Sequence, residues 1–135
     1  MAVQLNPYLN FAGNTREAME FYHAIFGGEL SVTSFSEAGM GEEMGADGTM
    51  HAALATPDFT IMASDAMPGA EATWGGTRNY ISIGGTDEAL LTGWFERLAD
   101  GGNIGMALAP QQWGAVFGLC MDRYGIEWMV NIYTD

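Results

Sequence analysis

The stretch from Pro7 to Gly28, PYLNFAGNTREAMEFYHAIFGG, is answered about seventy residues later by NYISIGGTDEALLTGWFERLADGG. Tyr80 echoes Tyr8, Ile81 and Ile83 echo Leu9 and Phe11, and Gly101–Gly102 echo Gly27–Gly28. An internal repeat of this size constrains the architecture before any functional question arises. Two copies are too few for a solenoid, so the spacing predicts a single domain over 1–135 with pseudo-two-fold symmetry. Its modules fall at about 1–67 and 78–135, with a linker over 68–77.

Within the first module, residues 3–11 alternate around Leu9 and Phe11 and predict a strand, with Tyr8 and Asn10 on the opposite face. Gly13–Asn14 breaks it. Asn14 is placed to cap the next helix, with Glu17 in capping-box position. Ala18, Phe21, Tyr22, Ile25 and Phe26 make one helical face, and Gly27 ends the helix. Residues 29–36 alternate again as a second strand. The acidic, glycine-rich stretch 37–48 reads as a connecting loop, with a lid over a pocket as the sharper reading. Strands over 49–55 and 59–64 follow, joined by the turn Thr56–Pro57–Asp58.

The second module repeats the plan. A strand over 79–83 precedes a helix capped by Thr86, with Leu90, Leu91, Trp94, Phe95 and Leu98 as its buried stripe. Strands over about 103–108, 116–122 and 127–133 complete it. The fold class is therefore α+β: two βαβββ modules whose mixed sheets are expected to curve into a cup with the helices outside. A concave apolar cup is the default ligand site.

Composition narrows the partners. The formal net charge is −13, from 17 acidic residues against four arginines and no lysine. Such a field repels phosphate backbones and anionic membranes, so neither nucleic acid nor membrane is an expected partner. No apolar run approaches a membrane span, and MAVQLNPYL does not read as a signal peptide. The single cysteine, Cys120, suits a reducing, cytoplasmic setting.

Four pieces, NPYLNFAGN, MHAAL, IMASDAMPG and WGAVFG…DRYGIEWMVN, resemble the PhnB-like branch of the vicinal oxygen chelate superfamily. That superfamily includes glyoxalase I, extradiol dioxygenases and the fosfomycin and bleomycin resistance proteins. The resemblance covers essentially the whole chain and implies a small-molecule ligand and a homodimer. Some relatives carry a ubiquinone-pathway methyltransferase label, but no glycine-rich loop here would cradle a methyl-donor nucleoside.

The resemblance also implies a divalent metal, held by His and Glu/Asp from the first and last strands of the modules. Here those positions fall near Asn6 or Tyr8, near Arg78 or Tyr80, and on Met62 and Met129. Aligning TIMAS with EWMVN pairs Met62 with Met129 and Ser64 with Asn131. Thioether, amide, phenol and guanidinium groups do not replace that ligand set for a hard cation. No metal ligands and no cofactor are therefore expected at the usual centre; a divalent metal would need a non-standard site.

The candidate ligand-binding residues are Tyr8, Asn10, His51, Met62, Ser64, Tyr80, Ser82, Trp113, Met129 and Asn131. His51 alternates with Ala53 and Ala55, opposite the more apolar Met50, Ala52 and Leu54, and is the candidate catalytic acid or base. Tyr8, Asn10, Tyr80 and Ser82 would line the cup with polar tips, and Met62 and Met129 would supply adaptable walls. Trp113 would close one end. Cys120 reads as an inert buried thiol, Asp65 as a turn cap, His23 as a surface residue and Glu127 as a solvated carboxylate, with a pocket acid as its sharper reading. The expected function is a metal-free small-molecule binding protein of the glyoxalase/bleomycin-resistance type. The alternative is a lyase- or isomerase-like enzyme using His51, or a metal-dependent one with a non-standard site.

Overall fold

The computed structural model describes residues 4–39, 48–66 and 79–134. The expected linker 68–77, most of the loop 37–48 and Arg78 lie outside the described residues. The chain divides into two compact units, Met1–Gly75 and Gly76–Asp135. Unit 1 contains β1 (Tyr8–Phe11), α1 (Thr15–Phe26), β2 (Glu29–Ser34), β3 (Thr49–Ala55) and β4 (Thr60–Asp65). Unit 2 contains β5 (Ile81–Gly85), α2 (Glu88–Ala99), β6 (Asn103–Pro110), β7 (Val116–Met121) and β8 (Glu127–Ile132). Each is the expected βαβββ module. Each forms a four-stranded mixed sheet, ordered β1-β4-β3-β2 in unit 1 and β5-β8-β7-β6 in unit 2. No helix among the described residues is long and apolar enough to cross a membrane.

In both units the first strand runs parallel to the last, and the other pairings are antiparallel. Parallel neighbours need a long crossover, which here contains a helix and a hairpin. Register corrects one detail of the repeat. Tyr8 lies opposite Met62, and Ser82 lies opposite Met129. The place of Tyr8 thus falls to Ser82 in the second unit, not to Tyr80. The glycine pairs do correspond. A β-carbon on Gly28 would meet the Ala55 carbonyl, and one on Gly102 would meet the Met121 carbonyl. The turn from helix to strand passes too close to the neighbouring strand's end for any side chain.

Helix α1 buries Thr15, Ala18, Met19, Tyr22 and Ile25. Ala18, Tyr22 and Ile25 lie in the stripe as expected, but Thr15 and Met19 join them in place of Phe21 and Phe26, which are half-buried. Phe26 instead meets Phe59 edge-on at 5.4 Å. In α2 the stripe is Leu91, Phe95 and Leu98, at spacings of four and three, while Leu90 is 46% exposed. These faces pack on Ala52, Leu54, Ile61 and Ala63 in unit 1 and on Trp128, Val130 and Ile132 in unit 2, all buried.

The helix caps differ from expectation. Asn14 makes no side-chain cap bond. Asp65 does this work from the end of β4: its Oδ1 accepts from the Thr15 hydroxyl at 2.6 Å and the Thr15 backbone N–H at 3.2 Å. Its Oδ2 accepts the Thr49 N–H at 2.8 Å, so one carboxylate joins helix, β3 and β4. In α2 the cap is Asp87, not Thr86; Asp87 Oδ1 accepts the Leu90 N–H at 3.1 Å. Strand β2 stops at Ser34, short of the expected residue 36. There Ser34 and Glu37 exchange backbone-to-side-chain bonds in a one-turn capping box, and these hold the Glu37 carboxyl below its ordinary pKa. In unit 2 the buried Asp122 accepts the backbone N–H groups of Tyr124 and Ile126 and the Trp128 indole N–H, fixing the β7–β8 turn to the core.

The two cap assignments are separable by urea denaturation. Asp65→Ala is expected to cost about 3 kcal/mol, since it strips a charged acceptor from partly buried donors. Asn14→Ala is expected to stay within about 0.5 kcal/mol. Equal losses would return the cap to Asn14.

Candidate functional site

Side-chain alternation divides each sheet into a face under its helix and an open face. In unit 1 the helix takes Leu9, Phe11, Ala52, Leu54, Ile61 and Ala63. The open face is left with Tyr8 and Asn10 from β1, Met62 and Ser64 from β4, and His51 and Ala53 from β3. Five candidate residues, Tyr8, Asn10, His51, Met62 and Ser64, therefore share one face. Ser31 and Thr33, beside Ala53 and His51 on β2, extend it with hydroxyls that the sequence reading missed. The period-two pattern of ELSVTS carried that signal, but only the register assigns it to this face.

The polar groups here bond to one another. The Tyr8 hydroxyl lies 3.3 Å from His51 Nδ1, with ring centroids 5.9 Å apart. The Ser64 hydroxyl donates to Asn10 Oδ1 at 3.3 Å, which leaves the Asn10 amide N–H groups for a ligand. The Tyr8–His51 pair has two neutral forms. If Tyr8 donates, His51 Nε2–H is the free donor; if His51 donates, the Tyr8 hydroxyl proton is free and Nε2 accepts. The pair can therefore meet either a donor or an acceptor on a ligand. The carboxylate of Glu29 stands opposite Ala55, at the far end of the face from this pair.

The open face of unit 2 carries Ser82, Met129 and Asn131 of the expected set. Its remaining character is apolar. Leu119 lies opposite Met129, and Phe117 lies opposite Asn131. Extending the β3–β4 ladder one step past Ala52–Ala63 sets His51 beside Ser64, so the place of His51 is held in unit 2 by Phe117. Trp113 is 62% exposed and packs edge-on against Phe117 at 5.7 Å. Tyr80 stands apart from these residues, at the end of the sheet near Glu127, where a groove of about 220 Å³ opens. A second groove, of about 420 Å³, lies in unit 1 between residues 4–7 and the β3–β4 turn, away from His51.

The register pairs Tyr8 with Met62 and Ser82 with Met129, the strands from which the family resemblance draws its metal ligands. A phenol, a hydroxyl and two thioethers do not fit a hard divalent cation. Among the described residues no three His, Cys, Asp or Glu side chains gather to hold one. Of the remaining candidates, His23 is exposed, with Nε2 3.0 Å from the Gly28 carbonyl. Asp65 points to the helix and strand backbone rather than to the open face.

Comparisons with known proteins agree with this architecture. A family model described as Glyoxalase/Bleomycin resistance protein/Dioxygenase superfamily matches residues 4–130. The chain is 32% identical to protein YjdN of Escherichia coli, over 95% of this chain and 94% of YjdN. Among solved structures, protein PA1353 of Pseudomonas aeruginosa shares 39% identity with a TM-score of 0.87, covering 98% of this chain and 99% of that one. A PhnB protein from Bacillus cereus shares the fold at a TM-score of 0.78 and 24% identity, over 96% and 99% of the two chains.

Cys120 is buried on β7. Burial first, and the Asp122 charge second, push its thiol up to about 11. Folding thus holds the proton on. This contribution to stability is complete below the ordinary thiol value near 9 and is lost as pH rises through about 11. Native protein at mildly alkaline pH should resist iodoacetamide until denaturant is added; rapid labelling of the folded chain would contradict a buried, protonated thiol.

Proposed function

The chain belongs to the Glyoxalase/Bleomycin resistance protein/Dioxygenase superfamily, and from that premise we propose that it is a metal-free small-molecule binding protein. The ligand rests on the open face of unit 1, against Tyr8, Asn10, His51, Met62 and Ser64. The observation that carries this reading is the pairing of Tyr8 with Met62, a phenol and a thioether where the resemblance implies hard metal donors, amid polar side chains bonded to each other. Such a face supplies directional donors and acceptors beside an adaptable thioether, which suits binding by hydrogen bonds and contact. The net charge of −13 favours a neutral or cationic ligand over a polyanion at long range. The corresponding face of unit 2 carries Ser82, Met129 and Asn131, with Trp113 against Phe117, and offers a ligand mainly apolar contact. The proposal includes a cytoplasmic homodimer, supported by the family resemblance and the single buried thiol.

One observation favours a second reading. The Tyr8–His51 bond gives an imidazole a phenol partner, an arrangement that can relay a proton to or from a bound substrate. On that reading the chain is a lyase- or isomerase-like enzyme with His51 as acid or base.

Metal analysis of untagged protein, purified without chelator, comes first. We expect folded protein with far less than one metal per chain; a tightly held metal near one per chain would overturn the metal-free reading. A thermal-shift screen of neutral and cationic small molecules should then give stabilising ligands. One present at about 100 times its Kd adds about 2.7 kcal/mol. His51→Ala and Tyr8→Phe should keep the fold and weaken such a ligand about tenfold, the worth of one lost hydrogen bond. Unchanged affinity in both variants would move the site elsewhere. Turnover of a ligand that His51→Ala abolishes would select the enzyme reading.

A further inference from the structure

Glu127 on β8, Met121 on β7 and Asn103 on β6 are successive register partners, so they form one row across the end of the unit 2 sheet. Tyr80 directly precedes β5, whose Ile81 pairs with Trp128, and so joins the row beside Glu127. These four residues line the groove of about 220 Å³, and Leu119, Ile104 and Cys120 supply its apolar surface. From this we propose that the groove is a binding site for a small organic ammonium cation, distinct from the face of unit 1 and independent of its reading.

The chemistry of the lining selects that class. Among the described residues that line the groove there is one carboxylate, Glu127, and no lysine or arginine. Arg123, close by in sequence, is engaged by the carbonyl and carboxylate of Asp100. Thioether, aliphatic and protonated thiol groups cannot replace the water shell of a hard metal ion, but they suit the alkyl groups of an ammonium. The Tyr80 ring adds a π-face of the kind that attracts such cations. The electrostatics of the floor agree. The Asp122 charge, after burial, raises the Cys120 thiol, so a negative potential reaches the groove from beneath. The net charge of −13 draws cations towards it at long range.

Gly105 keeps the groove open. It lies where the β6–β7 register shifts between Ile104 and Met106. A β-carbon there would stand 3.8 Å from the Leu119 β-carbon, an ordinary contact, and its φ is not in the left-handed region. A larger side chain at this position therefore fills the groove without straining the backbone.

Choline, with its uncharged carbon isostere dimethylbutanol as control, is the probe. In amide NMR titrations choline should cause saturable shifts at Ile104, Leu119 and Met121 and leave His51 unmoved. Glu127→Gln should weaken choline about tenfold or more without changing dimethylbutanol. Gly105→Val should remove both while the melting temperature stays close to wild type. Equal affinity for choline and dimethylbutanol would overturn the cation assignment, as would unchanged choline affinity in Glu127→Gln. Shifts spread over surface carboxylates and abolished by salt would overturn the site itself. Should Gly105→Val fail to fold, the Glu127→Gln comparison decides alone.

Discussion

Each unit depends on the parallel pairing of its first strand with its last. Tyr8 and Met62 are far apart in the chain, yet the β1–β4 ladder sets them side by side, and it also brings Asn10 to Ser64. The ladder holds because the helix and hairpin between its strands return the chain to the same edge. In unit 1 Asp65 then fixes the start of that helix and the start of β3 to the end of β4. In unit 2 the ladder runs on to the Tyr133 N–H, which bonds the Gly85 carbonyl at 2.7 Å. The Tyr8–Met62, Asn10–Ser64 and Ser82–Met129 neighbours on the open faces follow from these registers.

What the sequence made legible was what alternation and repetition encode locally. The βαβββ order, the helix positions and the side of β3 on which His51 lies all come from periods of two and 3.6 residues. What it did not show was set at long range. The equivalence of Tyr8 and Ser82 depends on a strand register across more than forty residues, and no local pattern prints it. The cap of α1 likewise comes from Asp65, about fifty residues downstream, while the adjacent Asn14 looked sufficient by itself. Helical period placed both Leu90 and Leu91 in one stripe and Phe21 in the other; packing shows that Leu91 turns fully inward while Leu90 does not, and that Met19 is buried where Phe21 is not.

The two units share a backbone plan and differ in what they show to their open sides. Unit 1 presents a phenol, an imidazole, an amide and hydroxyls. Unit 2, at matching register, presents Phe117, Leu119 and Met129 with Trp113 against them. The substitution of Phe117 for His51 is the sharpest of these differences, since it replaces a titratable donor and acceptor with a ring that can only pack. A duplicated fold has thus retained one set of core contacts while its two surfaces took up different chemistry. Function in such a chain is argued from side chains at register positions, since the shared fold alone does not supply it.

The strict division of β3 and β4, with Ala52, Leu54, Ile61 and Ala63 beneath the helix and His51, Ala53, Met62 and Ser64 away from it, also bears on descent. Selection on the open side can act one residue at a time without disturbing the positions that hold the module together. An imidazole can be lost, a methionine can become a carboxylate, and the sheet still forms. Such a scaffold is evolvable in a concrete sense: the mutations that change its chemistry and the mutations that threaten its folding fall on different sides of the same strands.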